Sequence, residues 1–220
     1  MSKGETGMEL EFWGVRGTMP VGGREFGKYG GHTLCACVTS AAGEMVIVDA
    51  GTGIKRLGEK IMEGAGSSGL HLYVLLTHFH LDHIIGLPFF APLYAAGAGI
   101  TFYSPFPPKK TEKQLAGLMG GRYFPVAFRE TQSAKTFKKI PENGLAIGNF
   151  AITSCPLHHP QGSVAYRIEA GESSLVVATD TEPPEGRLDE RLTSFARGAD
   201  VFVCDATFTP AEYGKRQGWG

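Results

Sequence analysis

Between Thr77 and His83 the chain reads Thr-His-Phe-His-Leu-Asp-His, which puts His78, His80, Asp82 and His83 within six consecutive positions. Imidazole and carboxylate together suit zinc, and also manganese or iron. Four ligands this close do not easily converge on one tetrahedral ion. They can divide between two, with His78 and His80 on one metal and Asp82 and His83 on a neighbour, as a two-metal hydrolase requires. Ionisable groups are seldom bunched this way at a strand end without a function. The run just before them, His71 to Leu76, is apolar and partly β-branched and predicts a buried strand. The cluster therefore belongs where a strand ends and a loop opens, at the rim of a sheet.

The rest of the chain supplies the elements that must carry this loop. Further strands are predicted at Met8–Trp13, Thr33–Thr39, Glu44–Val48, Ile100–Tyr103, Phe150–Cys155, Ser163–Glu169, Leu175–Thr179 and Val201–Cys204. Ile54, Leu57, Ile61 and Met62 follow helical spacing closed by Gly64, and a Gly/Ser connector runs from Gly64 to Gly69. Helices are also expected over Ile84–Ala95, interrupted by Pro88 and Pro92, near Thr111–Met119, and over Leu188–Arg197. The stretch Gly97–Asn149 is the least periodic, with a turn at Pro141-Glu142-Asn143-Gly144. Strands alternating with helices, with meander sections between, predict an α/β chain of two mixed sheets covered by helices.

At 220 residues, 42% hydrophobic and 20% charged, the chain is long enough for one sizeable core. Lys and Arg total 21 against 22 Asp and Glu, a balance that argues against general affinity for nucleic acid. Lys109-Lys110 and Lys138-Lys139 read as solvated faces. No apolar run reaches the ~18 residues of a membrane span. The start, Met1-Ser2-Lys3-Gly4-Glu5, has no apolar signal region, which predicts a cytoplasmic protein. The four cysteines (35, 37, 155 and 204) fit a reducing compartment. Cys35 and Cys37 point to one face of a strand and read as buried small hydrophobes.

His-X-His-X-Asp-His followed by Ile84-Ile85-Gly86-Leu87-Pro88 resembles the signature of the metallo-β-lactamase fold superfamily. Within it, the chain is similar to the phosphodiesterase-like branch that includes tRNase Z and cyclic-phosphate hydrolases, with matching blocks from Phe12 to Gly220. The resemblance implies a four-layer αβ/βα sandwich, as a single domain over residues 1–220. It also implies a site residue in Pro156-Leu157-His158-His159-Pro160, where His159 would complete the first metal site with His78 and His80. His158 would then be a supporting or structural histidine. In Val176-Val177-Ala178-Thr179-Asp180-Thr181-Glu182, Asp180 matches the superfamily's bridging carboxylate, and Glu182 is a weaker candidate for orienting a ligand. The second metal would thus take Asp82, His83 and Asp180.

Asp49 ends another strand in Val48-Asp49-Ala50-Gly51-Thr52-Gly53. The Gly-X-Gly there invites a dinucleotide reading, but position 56 is Arg where that fingerprint wants Gly. The resemblance instead puts Asp49 under the metal site, accepting hydrogen bonds that hold the ligand loop. Trp13 to Thr18 and Tyr29 to Thr33 match N-terminal blocks of the branch. Arg16 would contact a phosphate or structure the loop, and His32 stands where relatives carry Asn. Gly214 to Gly220 resembles the approach to the branch's last motif, Gly-His-Ser/Thr, and the chain stops where that His would come. By the resemblance the domain's C-terminal elements are then missing.

The expected function is a hydrolase of a small cyclic or linear phosphodiester using two divalent metal ions, most simply zinc. Asp82 is the catalytic candidate, since it can both ligate a metal and accept a proton. Two alternatives stand beside it: hydrolysis of a carboxylic ester, thioester or lactam at the same site, and a non-catalytic metal-binding module. As partners, tRNA is disfavoured because there is no long basic insertion, no membrane is expected, and a homodimer is left open.

Overall fold

Six strands from the first 139 residues pair side by side into one mixed sheet. In spatial and chain order they are β1 (Met8–Gly14), β2 (Cys35–Ser40), β3 (Met45–Val48), β4 (His71–Leu75), β5 (Gly99–Ser104) and β6 (Ala134–Lys139). From β3 to β6 the pairing is parallel, with Val48 opposite Leu75 and Leu75 opposite Tyr103. Parallel neighbours need crossovers. Helix α1 (Ile54–Ala65) returns the chain from β3 to β4, and α3 (Pro108–Leu118) lies between β5 and β6. A one-turn helix, α2 (Leu81–Ile84), opens the connection after β4.

The computed structural model describes residues 7–65, 69–182, 188–213 and 215. It divides into two compact units. The N-terminal unit takes Leu10–Val38 and Met45–Lys139, and the C-terminal unit takes Met1–Glu9, Thr39–Glu44 and Ile140–Gly220. The sheet of the N-terminal unit is buried under α1 and the segments after α2. Its core includes Ile47, Ile54, Leu57, Val74, Phe90, Leu93 and Phe102, each at most 1% exposed. Fully burying a side chain of this size contributes roughly 1.5–3 kcal/mol, so this slab supplies the rigid base for the loops at its edge. Cys35 and Cys37 lie in it, and burial pushes the Cys35 thiol well up, as suits a small neutral core residue.

The C-terminal unit carries a second sheet, in the order β11-β10-β9-β8-β7. Its strands are β7 (Leu145–Ile147), β8 (Phe150–Leu157), β9 (Ser163–Ala170), β10 (Ser173–Ala178) and β11 (Val201–Cys204). Strands β7 to β10 form an antiparallel meander. Strand β11 joins β10 in parallel after α4 (Glu190–Ala196), whose first turn is capped by the Asp189 carboxylate accepting the Leu192 N–H at 3.0 Å. Cys155, Leu157, Ala165, Ala178 and Leu192 pack together there with Phe195. A last short helix is α5 (Pro210–Tyr213).

Two mixed sheets with helices on them agree with the expected fold class. One expected helix takes a different form. The helix expected over Ile84–Ala95 is instead α2 and two 3₁₀ turns, Leu87–Phe89 and Ala91–Tyr94, each with a proline in its first two positions. Pro88 and Pro92 lack the N–H a continuous α-helix needs and clash with the preceding turn. Among the described residues, no helix is long and apolar enough to cross a membrane. The Gly214–Gly220 motif lies outside the described residues apart from Lys215.

Candidate metal centre

The N-terminal unit gathers its ligand candidates at the carboxyl ends of β3 and β4, where open parallel sheets place their ligands. The register sets Val48 opposite Leu75, so the first residue beyond β3 lies next to the chain leaving β4. That residue is Asp49, fully buried and in the left-handed region at φ 61°. Asp tolerates this conformation better than most side chains. Its backbone N–H donates to the Leu75 carbonyl at 2.9 Å. Asp49 Oδ1 accepts the Thr77 N–H at 2.8 Å, and Oδ2 accepts both the Thr77 hydroxyl at 2.8 Å and His83 Nδ1 at 2.7 Å. Asp49 is thus a support beneath the loop.

Above it, His80 has an extended backbone and caps α2, which turns Asp82 and His83 inward while Leu81 faces out. Asp82 Oδ2 accepts the Thr18 N–H at 2.7 Å and lies 3.6 Å from His83 Nε2. The His78 ring centroid is 4.5 Å from that of His80 and 4.3 Å from that of His83. The structure therefore brings His78, His80, Asp82 and His83 together within this unit. Two glycines allow the close approach: an added Cβ at Gly51 would lie 2.5 Å from the Asp82 carbonyl oxygen, and one at Gly86 would lie 2.0 Å from the Gly51 carbonyl oxygen.

The C-terminal unit holds the other two candidates at the ends of β8 and β10. His159 follows β8 by two residues, ahead of a turn in which Gln161 takes φ 67°. Asp180 follows β10 by two, also left-handed at φ 51°. The pair lies with His159 Nε2 3.8 Å from Asp180 Oδ2, and the His159 side chain is 1% exposed. Neighbouring His158 points elsewhere: its side chain is 47% exposed and lies 3.8 Å from Asp189 and 3.4 Å from Arg191. Glu182 is tied to its own unit, its N–H donating to the His158 carbonyl and its carboxylate accepting the Tyr213 hydroxyl at 2.6 Å.

Arg16 structures its loop, its Nε donating to the Gly30 carbonyl at 2.9 Å and its guanidinium lying 4.9 Å over the Phe26 ring. His32 Nδ1 lies 3.2 Å from the Thr52 hydroxyl, within a turn that Thr33 and Thr52 lock by exchanging hydrogen bonds. Thr18 and Thr77 support the ligand loop of the N-terminal unit and were not singled out from the sequence. For Thr77 the only signal was its place directly before His78.

The donors fit a borderline divalent cation. Imidazoles with carboxylates suit zinc, manganese or iron better than calcium, which takes oxygen. His83 gives its Nδ1 side to a carboxylate, the arrangement that orients a ligating histidine toward metal through Nε2.

A family model described as the beta-lactamase superfamily domain matches residues 45–219. Ribonuclease Z of Bradyrhizobium diazoefficiens (strain JCM 10833 / BCRC 13528 / IAM 13628 / NBRC 14792 / USDA 110) is 28% identical over 221 residues, covering 79% of this chain and 71% of that protein. Ribonuclease Z of Bradyrhizobium sp. (strain ORS 278) is 24% identical over 237 residues, covering 83% and 74%. Among solved structures, the metallo-beta-lactamase fold protein YhfI from Bacillus subtilis superposes with a TM-score of 0.67 at 19% identity, covering 97% of this chain and 77% of that one. The short form of human tRNase Z gives 0.62 at 16%, covering 96% and 83%. With two mixed sheets of this fold and most of its length under the family model, the chain belongs to the beta-lactamase superfamily, in its metallo-β-lactamase fold.

Proposed function

We propose that the chain is a metal-dependent phosphodiester hydrolase in which the ligand candidates of both units act as one site, so that the 220 residues work as a single domain. His78, His80 and His159 would hold one divalent ion, Asp82 and His83 a second, and Asp180 would contribute to both. The observation that carries the reading is the Asp49 network, which fixes the four-residue ligand loop at a sheet edge with an imidazole already turned by a buried carboxylate. When bound, such ions polarise the phosphate and lower the pKa of a coordinated water.

The chain's own residues supply positioning and a proton acceptor. Asp82 has one oxygen held by the Thr18 N–H, which leaves the other to take the proton of the attacking water. The new P–O bond forms as the bond to the leaving oxygen breaks, and the proton on Asp82 is available to that oxygen. The likeness to proteins named ribonuclease Z supports phosphodiester chemistry over lactam chemistry.

The test is a parallel assay of metal-loaded protein on bis(p-nitrophenyl) phosphate, a precursor tRNA, a chromogenic lactam and a thioester. Diester turnover that is lost on chelation and regained on adding zinc or manganese is the expected result. Turnover of the lactam or thioester alone overturns the substrate class, and metal binding without any turnover points to a binding module. Cleavage of precursor tRNA at rates above the small diester would make RNA the substrate.

The two ions should not bind equally. The first site would have three histidines and Asp180, whereas the second would have Asp82, His83 and Asp180, one protein ligand fewer. After dialysis under dilute conditions, elemental analysis of the 220-residue chain is expected to give a value closer to one metal than to two. Two tightly held ions per chain would contradict this assignment.

A further inference from the structure

We propose that Thr77 is a positioning residue whose hydroxyl relays the Asp49 carboxylate to His78, so that one buried carboxylate sets the ligating nitrogen of an imidazole in each metal site. The inference rests on the metal assignment proposed above.

Asp49 accepts only, since an ionised carboxylate has no proton to give. With the Thr77 Oγ1 2.8 Å from Asp49 Oδ2, the hydroxyl proton goes to the carboxylate. The same Oγ1 lies 3.0 Å from His78 Nδ1, and with its proton committed it can only accept there. His78 must then carry its proton on Nδ1 and its lone pair on Nε2. Thr77 cannot easily swing away, because it is fully buried and its backbone N–H is held at 2.8 Å by Asp49 Oδ1. The other branch is direct: Asp49 Oδ2 accepts His83 Nδ1 at 2.7 Å, which fixes the same tautomer on His83. One branch thus passes through a hydroxyl to the proposed first site, and the other reaches the second without an intermediary.

Thr77→Val keeps the shape and removes the hydroxyl, while Thr77→Ser keeps the hydroxyl. Long-range proton–nitrogen NMR of metal-free protein reads the histidine tautomers, and competition with a chromogenic chelator reads zinc affinity. In wild type and Thr77→Ser, His78 is expected to be protonated at Nδ1. In Thr77→Val that preference should be lost and the tighter zinc step weakened about 10- to 100-fold, the usual loss when a partner of a ligating histidine is removed. The weaker step should be unchanged, whereas Asp49→Asn should weaken both. Three results would overturn the relay: a His78 protonated at Nε2 in metal-free wild type, a Thr77→Val variant with wild-type tautomer and affinity, or a Thr77→Val variant with equal losses at both steps. The first needs no variant to fold. Absence of zinc binding in wild type would instead defeat the metal assignment, and the metal-free tautomer would still decide the relay.

Discussion

Replacing Asp82 with alanine is expected to lower phosphodiester turnover on the order of 10²- to 10⁴-fold, the range of a lost general base, while the first metal stays bound. Asp82 is nine-tenths buried, sits between two histidine ligand candidates, and has one oxygen fixed by the Thr18 N–H at 2.7 Å. The proposed first site draws on His78, His80, His159 and Asp180, and Asp82 is assigned to the second. Steady-state kinetics beside elemental analysis separates the two effects. Asp82→Asn sharpens the test, because the amide still accepts from Thr18 but cannot take a proton at neutral pH. Wild-type turnover in either variant would remove Asp82 from the mechanism. Loss of metal and turnover in equal measure would make it a ligand only.

Gly86→Ala should be the most damaging small substitution near the site. Gly86 has ordinary helical dihedrals, φ −76° and ψ −18°, so alanine is not disfavoured by the backbone. The obstacle is packing alone: the new methyl would lie 2.0 Å from the Gly51 carbonyl oxygen and 2.8 Å from Ile54 Cγ2. Relief requires α2 and the Asp49 turn to separate, and these are joined by Gly86 N–H to the Ala50 carbonyl at 2.9 Å and Ala50 N–H to the His83 carbonyl at 2.7 Å. A loss of about 3 kcal/mol in urea unfolding is expected, the upper end of the overpacking range. Gly64→Ala serves as the control, since nothing lies within 4 Å of its added methyl and alanine favours the last turn of α1. Equal stability of the two variants would show that the turn yields more easily than its contacts suggest.

Much of this was legible in the sequence because hydrophobic period and motif coincide. The run His71–Leu76 became β4, and the ligand loop stands at its end. Asp49 sits in the supporting role that the family resemblance gave it. What escaped notice did so for physical reasons. Strand β6 reads Ala-Lys-Thr-Phe-Lys-Lys and is largely exposed, so no apolar stripe marks it. Strand β7 has only three residues. Arg16 left two roles open because a guanidinium serves a carbonyl and an aromatic face as readily as a phosphate. Thr18 acts through a backbone N–H, which carries no signal of residue type, and the Thr77 hydroxyl is one that any serine or threonine would offer.

The β3–α1–β4 crossover has a consequence for the order of events on the ribosome. Asp49 and the loop from Thr77 to His83 are the two ends of one contiguous crossover, and β5 pairs next to it. The scaffold beneath the early ligands can therefore form from chain already synthesised, at the modest closure cost of one βαβ unit. His159 and Asp180 are translated only afterwards, on the antiparallel meander. On the proposed ligand set, a nascent chain presents a loose chelate first, and tight capture waits for the late histidine and carboxylate. On that ligand set, metal supply would bear on the last step of maturation, and an ion lost before that point would cost no completed fold.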